Sequence, residues 1–156
     1  MVRFLGVGQI DISRKRVIYR EAVAEGIIHL KQETLKIIKE NKVEKGNTFQ
    51  IAGVAAIQGA KMTSQLIPFC HNIPIEKVDI GFKTIGRGIV AKARVVSIAK
   101  TGVEMEAITC VLTALLNIWD VVKRYEKDEN GQYPQTKITN IRIVKKVKKD
   151  GRCSKT

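Results

Sequence analysis

Residues 77–100 read KVDIGFKTIGRGIVAKARVVSIAK. Apolar and polar residues alternate on both sides of Gly86-Arg87-Gly88, as they do when successive side chains face opposite sides of an extended chain. The two glycines let the backbone reverse sharply between the runs. Lys77 to Lys100 is therefore predicted as a β-hairpin. From Gly102 to Glu126 the period changes. Val103, Ala107, Cys110, Val111, Ala114, Leu115, Ile118 and Val122 recur at helical spacing and make a wide apolar stripe. Glu129-Asn130-Gly131 ends that helix with turn chemistry, and Lys137 to Val147 alternates again as a last strand.

Upstream, Ala22 to Leu30 (AVAEGIIHL) has strand-like β-branched content, and Gln32 to Asn41 suits a short amphipathic helix. Lys45-Gly46-Asn47 reads as a turn, with Asn47 or Thr48 as the cap of a further helix running to about Leu66. That helix is rich in Ala and Gly, so it is expected to lie close against a neighbour, and Pro68 stops it. Residues 1–19 read as a loosely ordered arm. Helices and antiparallel strands mixed in 156 residues indicate one α+β domain, an antiparallel sheet packed by helices. A flexible N-terminal arm (about 1–12) and a basic C-terminal tail (about 148–156) flank it.

The net charge is +13, which calls for an anionic substrate or partner. Residues 137–156 hold eight Lys or Arg against one Asp, so much of the excess sits on the last strand and the tail. Cys70, Cys110 and Cys153 are widely spaced and form no C-x-x-C pair, which argues against a disulfide scaffold or structural zinc site. No apolar signal segment opens the chain, and no uninterrupted apolar run reaches membrane-spanning length. A cytoplasmic protein without membrane attachment is the expectation.

Candidate chemistry concentrates on the long helix. Asp120 and Lys123, three apart, share a helical face. If Asp120 is partly buried beside the ammonium, the pair is suited to proton transfer; an ordinary surface ion pair is the plainer alternative. Glu104 and Glu106 sit near the helix start, where the dipole favours acids, and point to different faces. Glu106 and Asp120 fall within about 40° of the same direction, yet roughly 21 Å apart along the axis. One small ligand could hardly touch both within one subunit, so a site between subunits is expected. His71 lies in IPFCHNIP, held extended by Pro68 and Pro74. Cys70 beside it has no second His or acid nearby in sequence to activate it. Lys45 and Lys61 flank the small-residue helix, Lys61 apparently set among apolar residues. With one other histidine, His29, a His-rich metal site or His-based triad is poorly supported, and no nucleotide-binding glycine loop is present.

The phrases DISRK, KGN, AAIQGAKMT, LIPFCHNI, TGVEMEA and IWDVVK occur in this order. Jointly they resemble the MoaC family, the cyclic pyranopterin monophosphate synthases of molybdenum cofactor biosynthesis, over about Asp11 to Val144. The resemblance implies a ferredoxin-like α+β sandwich assembled as a homohexamer, a trimer of dimers, with sites between subunits. It implies a lyase that converts a cyclic dihydroguanosine triphosphate into cyclic pyranopterin monophosphate and releases pyrophosphate; no cofactor is expected and no metal-ligating residue is assigned, and whether a divalent ion accompanies the phosphates is left open. Asp120 and Lys123 would be the acid/base pair. Lys45, Lys61 and His71 would hold the triphosphate or guide its cyclisation. Phe69, Cys70, Glu104, Met105 and Glu106 would line the substrate pocket. A C-terminal family lysine aligns best with Lys146, with Lys145 and Lys148 as neighbours. The chain departs from the family in reading KGN for the common KGD, Phe69 for a common Leu, and VKKVKKDG without paired glycines. A basic nucleic-acid-binding module is the main rival, disfavoured by strands without paired aromatics; a non-catalytic oligomer is the other.

Overall fold

The computed structural model describes residues 6–150. The outermost parts of the expected arm and tail, 1–5 and 151–156, lie outside the described residues. The elements run β1 (Ile18–His29), α1 (Gln32–Lys39), α2 (Thr48–Lys61), α3 (Thr63–Leu66), β2 (Lys77–Ile85), β3 (Gly88–Ala99), α4 (Glu104–Glu126) and β4 (Lys137–Lys149). The strands form one four-stranded sheet in the order β2-β3-β1-β4, antiparallel throughout. The fold is α+β, as expected. The hairpin closes with Ile85 opposite Gly88, so Gly86-Arg87 is its two-residue turn.

Three boundaries differ from the sequence reading. β1 starts at Ile18, because Ile18 and Tyr19 pair with Ala99 and Ile98 of β3; cross-strand bonding extends the strand into residues that alone read as arm. The helix expected to reach Leu66 breaks at Met62, which caps α2, and restarts as the single turn α3. Lys148 and Lys149, assigned to the tail, continue β4 opposite Arg20 and Tyr19.

One sheet face is built from small residues. Ala22 and Ala24 of β1 and Ala91 and Ala93 of β3 are fully buried, with Ile28, Ile89 and Val95 between them. Their small side chains let α4 lie close. A Cβ on Gly26 would stand 3.0 Å from Leu115 and Val111 of α4 and from Ile141 of β4. α4 has the length and composition of a membrane span, but its Cys110, Val111, Ala114, Leu115, Ile118 and Val122 are fully enclosed in the core. α2 packs along α4 through Ala52, Ala56, Gly59 and Ala60. At Gly59 a Cβ would stand 2.6 Å from Thr113 Cβ and closer still to its hydroxyl. That Cβ cannot be moved by a rotamer change, so backbone would have to give.

Gly53 and Gly59 lie on the same helix in opposite circumstances, since the nearest atom to a Cβ on Gly53 is Ile80 Cγ2 at 4.0 Å. Gly59→Ala is expected to destabilise the fold by about 1–3 kcal/mol through overpacking. Gly53→Ala should stabilise it by roughly 0.5–1 kcal/mol through helix propensity. Urea denaturation of the two variants measures the contrast directly.

Candidate active site

Two groups of functional side chains sit at opposite ends of α4. At its C-terminal end, Asp120 Oδ2 accepts a hydrogen bond from Lys45 Nζ at 2.7 Å, and Oδ1 accepts one from Lys123 Nζ at 2.7 Å. Lys45 also donates to the Asp120 carbonyl at 3.0 Å. Local structure explains how Lys45 arrives there. Gly46 adopts φ +109°, a backbone that favours glycine, and Asn47 caps α2 by accepting from the Gln50 amide at 3.0 Å. The Glu44 amide donates to the Tyr125 hydroxyl at 3.2 Å, and Arg124 pairs with Glu44. The turn is thereby fixed against α4 and Lys45 is aimed at residue 120. The end of α4 is itself anchored. Fully buried Glu126 accepts from the Lys31 amide at 3.1 Å and from the Thr136 hydroxyl at 2.5 Å.

The Asp120 carboxylate is more open than the apolar run around it suggested: 55% of its side chain is exposed. Its helical direction matches that of buried Glu106, but the cover differs. The loop after α3 and the N-terminal segment form pocket walls beside the start of α4, whereas Asp120 lies on the outward face of the last turns, whose Val121, Val122 and Glu126 stay buried. The two ammonium groups, Lys123 first and then Lys45, hold the Asp120 carboxyl down at about 2, and Asp120 raises Lys123 in return.

The second group lines a cavity of about 650 Å³ at the N-terminal end of α4. Its walls include Phe69, Cys70 and His71 from the loop after α3 and Glu104, Met105 and Glu106 from the first turn of α4. These six were singled out from the sequence. The sequence reading did not place Lys15, Ile10 and Ile12 here, and they form another wall. Gln9 fixes that segment to the loop, donating from Nε2 to the Cys70 carbonyl at 2.9 Å. The signal available was DISRK itself, which carries Lys15; nothing local says that an arm folds back across some 60 residues.

The acids of this pocket differ. Glu104 pairs with Lys146 of β4 and folds back over Gly102, where a Cβ would stand 2.7 Å from its carboxyl carbon. Of the three C-terminal lysines considered, Lys146 is the one paired with an acid of the pocket wall, Glu104. Lys145 points to the other sheet face, 3.3 Å from Glu21, and Lys148 makes no ion pair among the described residues. Glu106 is 4% exposed. Burial raises its carboxyl above the usual range, its own backbone amide opposes that, and the Glu104 charge adds to it. Burial also raises the Cys70 thiol, with the Glu106 charge contributing, so Cys70 has no thiolate character to make it a nucleophile.

Lys61 joins neither group. It is exposed, and it edges an apolar groove with Ile51, Val54, Ile57 and Asn117 on the outer side of α2. Helical rotation turns residue 61 outward while Ala52, Ala56 and Ala60 turn in. Among the described residues no group of three His, Cys, Asp or Glu side chains is placed to share a metal ion.

A sequence model of the MoaC family matches residues 9–149. A protein of Saccharolobus solfataricus named probable cyclic pyranopterin monophosphate synthase is 52% identical over 139 residues, covering 89% of this chain and 93% of that one. A Pyrococcus abyssi protein of the same name is 50% identical over 143 residues, covering 92% and 90%. A Methanothermobacter thermautotrophicus protein, 49% identical over 143 residues with the same 92% and 90% coverage, is named probable cyclic pyranopterin monophosphate synthase accessory protein.

The carboxylate at residue 120 depends on both lysines for its low value. Its carbon NMR signal is expected to titrate near pH 2. Lys123→Met or Lys45→Met should each move that midpoint up toward the ordinary 3.8, with the larger movement for Lys123→Met.

Proposed function

The chain belongs to the MoaC family, and we propose that it acts as a cyclic pyranopterin monophosphate synthase in molybdenum cofactor biosynthesis. In this reading a single synthase domain takes 3′,8-cyclo-7,8-dihydroguanosine 5′-triphosphate, rearranges it by acid/base chemistry with its own side chains, and releases pyrophosphate as a lyase. Its partner is a small molecule, with no nucleic acid and no membrane. The observation that carries the reading is Asp120 clamped between Lys45 and Lys123.

A carboxylate held near 2 is a weak base at neutral pH. Substrate phosphates would change that. A polyanion arriving at this end of α4 competes for Lys45 and draws its ammonium from Asp120. With one cation fewer, the carboxyl rises and accepts a proton more readily, while Lys123 remains to return it. Lys45, Lys61 and His71 would lower the cost of bringing several phosphate charges together and stabilise the departing pyrophosphate. Phe69, Cys70, Glu104, Met105, Glu106 and Lys146 would surround the heterocycle.

Those residues and Asp120 occupy opposite ends of one 23-residue helix, about 21 Å apart along its axis between positions 106 and 120. A single ligand touching both groups requires the end of one protomer's α4 to meet the start of its partner's. Self-association is supported by the outer side of α2, where Val54 is 72% and Leu116 of the adjoining α4 surface is 56% exposed. We place this assembly as the homohexamer, a trimer of dimers. The order β4-β1-β3-β2, with helices crossing between β1 and β2 and between β3 and β4, supports a ferredoxin-like sandwich.

Asp120→Ala is expected to keep its fold, since the side chain is half exposed, and to lose about 10²–10⁴-fold in turnover of the cyclic triphosphate. Normal turnover by the folded variant would refute the assignment. Mixing the inactive Glu106→Ala and Asp120→Ala proteins should recover activity in mixed oligomers. Confirmed mixed oligomers that stay inactive would sink the shared site.

A further inference from the structure

Residues 127–136, between α4 and β4, carry Tyr133 back along the last turns of the helix. Both ends of this connection are fixed. Near its start, the Asp128 amide donates to the Gln132 carbonyl at 2.9 Å, and Asp128 Oδ1 accepts from the Asn130 and Gln132 amides at 2.9 and 2.8 Å. At its far end, the Thr136 hydroxyl donates to fully buried Glu126. Pro134 holds the residue before it extended. Between these anchors Tyr133 is half-buried, and its ring meets that of Trp119 edge-on, with centroids 5.8 Å apart and planes at 75°. Two aromatic quadrupoles attract in that arrangement.

Trp119 and Lys123 are four apart and share one ridge of α4. A ring seated on Trp119 therefore stands beside the Lys123 side chain, and the Tyr133 phenol lies within electrostatic reach of its ammonium. The hydrogen bond that Lys123 Nζ makes runs to Asp120 Oδ1 at 2.7 Å, so Tyr133 limits where the ammonium can go without competing for it. The other cation on Asp120 is Lys45, which arrives from the Gly46 turn. The side chains of Lys45 and Lys123 are equally open, at 49% and 50%, so exposure does not decide which of them an arriving anion takes. Confinement does. A lysine side chain has a large rotamer freedom, and one with a fixed ring at its side has fewer ways to leave.

We propose that Tyr133 is a positioning residue for the acid/base pair: braced on Trp119, its ring keeps the Lys123 ammonium on Asp120 while a polyphosphate draws Lys45 away. This deepens the synthase reading and rests on it for the reaction. The acid/base step needs one lysine to yield and the other to remain, and Tyr133 supplies that asymmetry. The role belongs to the ring, not to the hydroxyl.

Two experiments on the assembled protein test this. Tyr133 is half-buried and outside the core cluster, so Tyr133→Ala is expected to fold. The first experiment reads the Asp120 carboxyl by carbon NMR. Lys123 from α4 and Lys45 from the turn are the charged groups upon it, and the Tyr133 phenol stands beside Lys123. Groups brought by a neighbouring protomer act on every variant alike and cancel in the differences. Tyr133→Ala should move the Asp120 midpoint up from about 2, part of the way that Lys123→Met moves it. Tyr133→Phe should leave it in place. With Lys123→Met already present, Tyr133→Ala should move it no further. An unmoved midpoint in Tyr133→Ala, or an equal rise on top of Lys123→Met, overturns the proposal. The second experiment is steady-state turnover of the cyclic dihydroguanosine triphosphate. Tyr133→Ala should lower kcat about tenfold, the scale of a small misplacement of a reacting group, with KM within about twofold. Tyr133→Phe should keep kcat within about twofold of wild type. An unchanged kcat in Tyr133→Ala, a loss carried by KM, or an equal loss in Tyr133→Phe counts against the ring. A wild type that does not turn this substrate over sinks the synthase reading instead, and the Asp120 titration still decides whether Tyr133 holds Lys123.

Discussion

The structure depends on how closely α4 can approach its neighbours. Ala22, Ala24, Gly26, Ala91 and Ala93 strip the sheet face to its backbone, and Gly59 of α2 does the same on the helix side. A long apolar helix then lies enclosed between a sheet and a second helix. Dispersion and water exclusion act over its whole length, because interiors of this density leave few voids. The aromatic content of 5% is a corollary. A core assembled from Ala, Val, Ile and Leu at short separations has little room for large rings, and Phe49 and Phe82, stacked 5.2 Å apart, sit at its edge rather than its centre.

Because α4 is rigid and continuous over 23 residues, it also works as a spacer. Each end is dressed by a different part of the chain. The C-terminal end receives the Gly46 turn and the Glu126 anchor, and leaves Asp120 open to water. At the N-terminal end the loop after α3 and the segment from Gly8 to Lys15 wall a pocket in which Glu106 is buried while Ile10 and Phe69 remain exposed. The same functional group, a carboxyl, consequently acquires opposite properties at the two ends. Asp120, between two ammonium groups in solvent, is held strongly acidic; Glu106, sealed in with an unpartnered oxygen, is pushed toward its neutral form. Pairs of acids driven apart by their environments are a common basis for dividing chemical labour in a site.

Much of this was legible in the residues. Alternation over 77–100 and 137–147, the stripe over 102–126 and the small residues of 52–60 indicated the class of β2, β3, β4, α4 and α2, since periodicity reports which face meets the core. Contact between Lys123 and Asp120 follows from helical spacing alone. Pairing of Lys45 with Asp120 does not, because 75 residues separate them and the approach is set by a hydrogen bond from Glu44 to Tyr125. The choice of Lys146 over Lys145 was also beyond local reading. Consecutive strand residues face opposite sides, and which side holds the pocket depends on a register with two irregularities between β1 and β4.

The sequence by itself determined the elements, their amphipathic faces, the kinship and the separation of the two ends of α4, because each of these is a short-range or pattern property of the chain. Tertiary structure alone decided that Glu106 is buried, that Lys15 shares a pocket with His71, that Asp120 is open to water and that Lys61 faces outward. Burial is the reason: it depends on what the rest of the chain lays over a residue, and no local pattern carries that information.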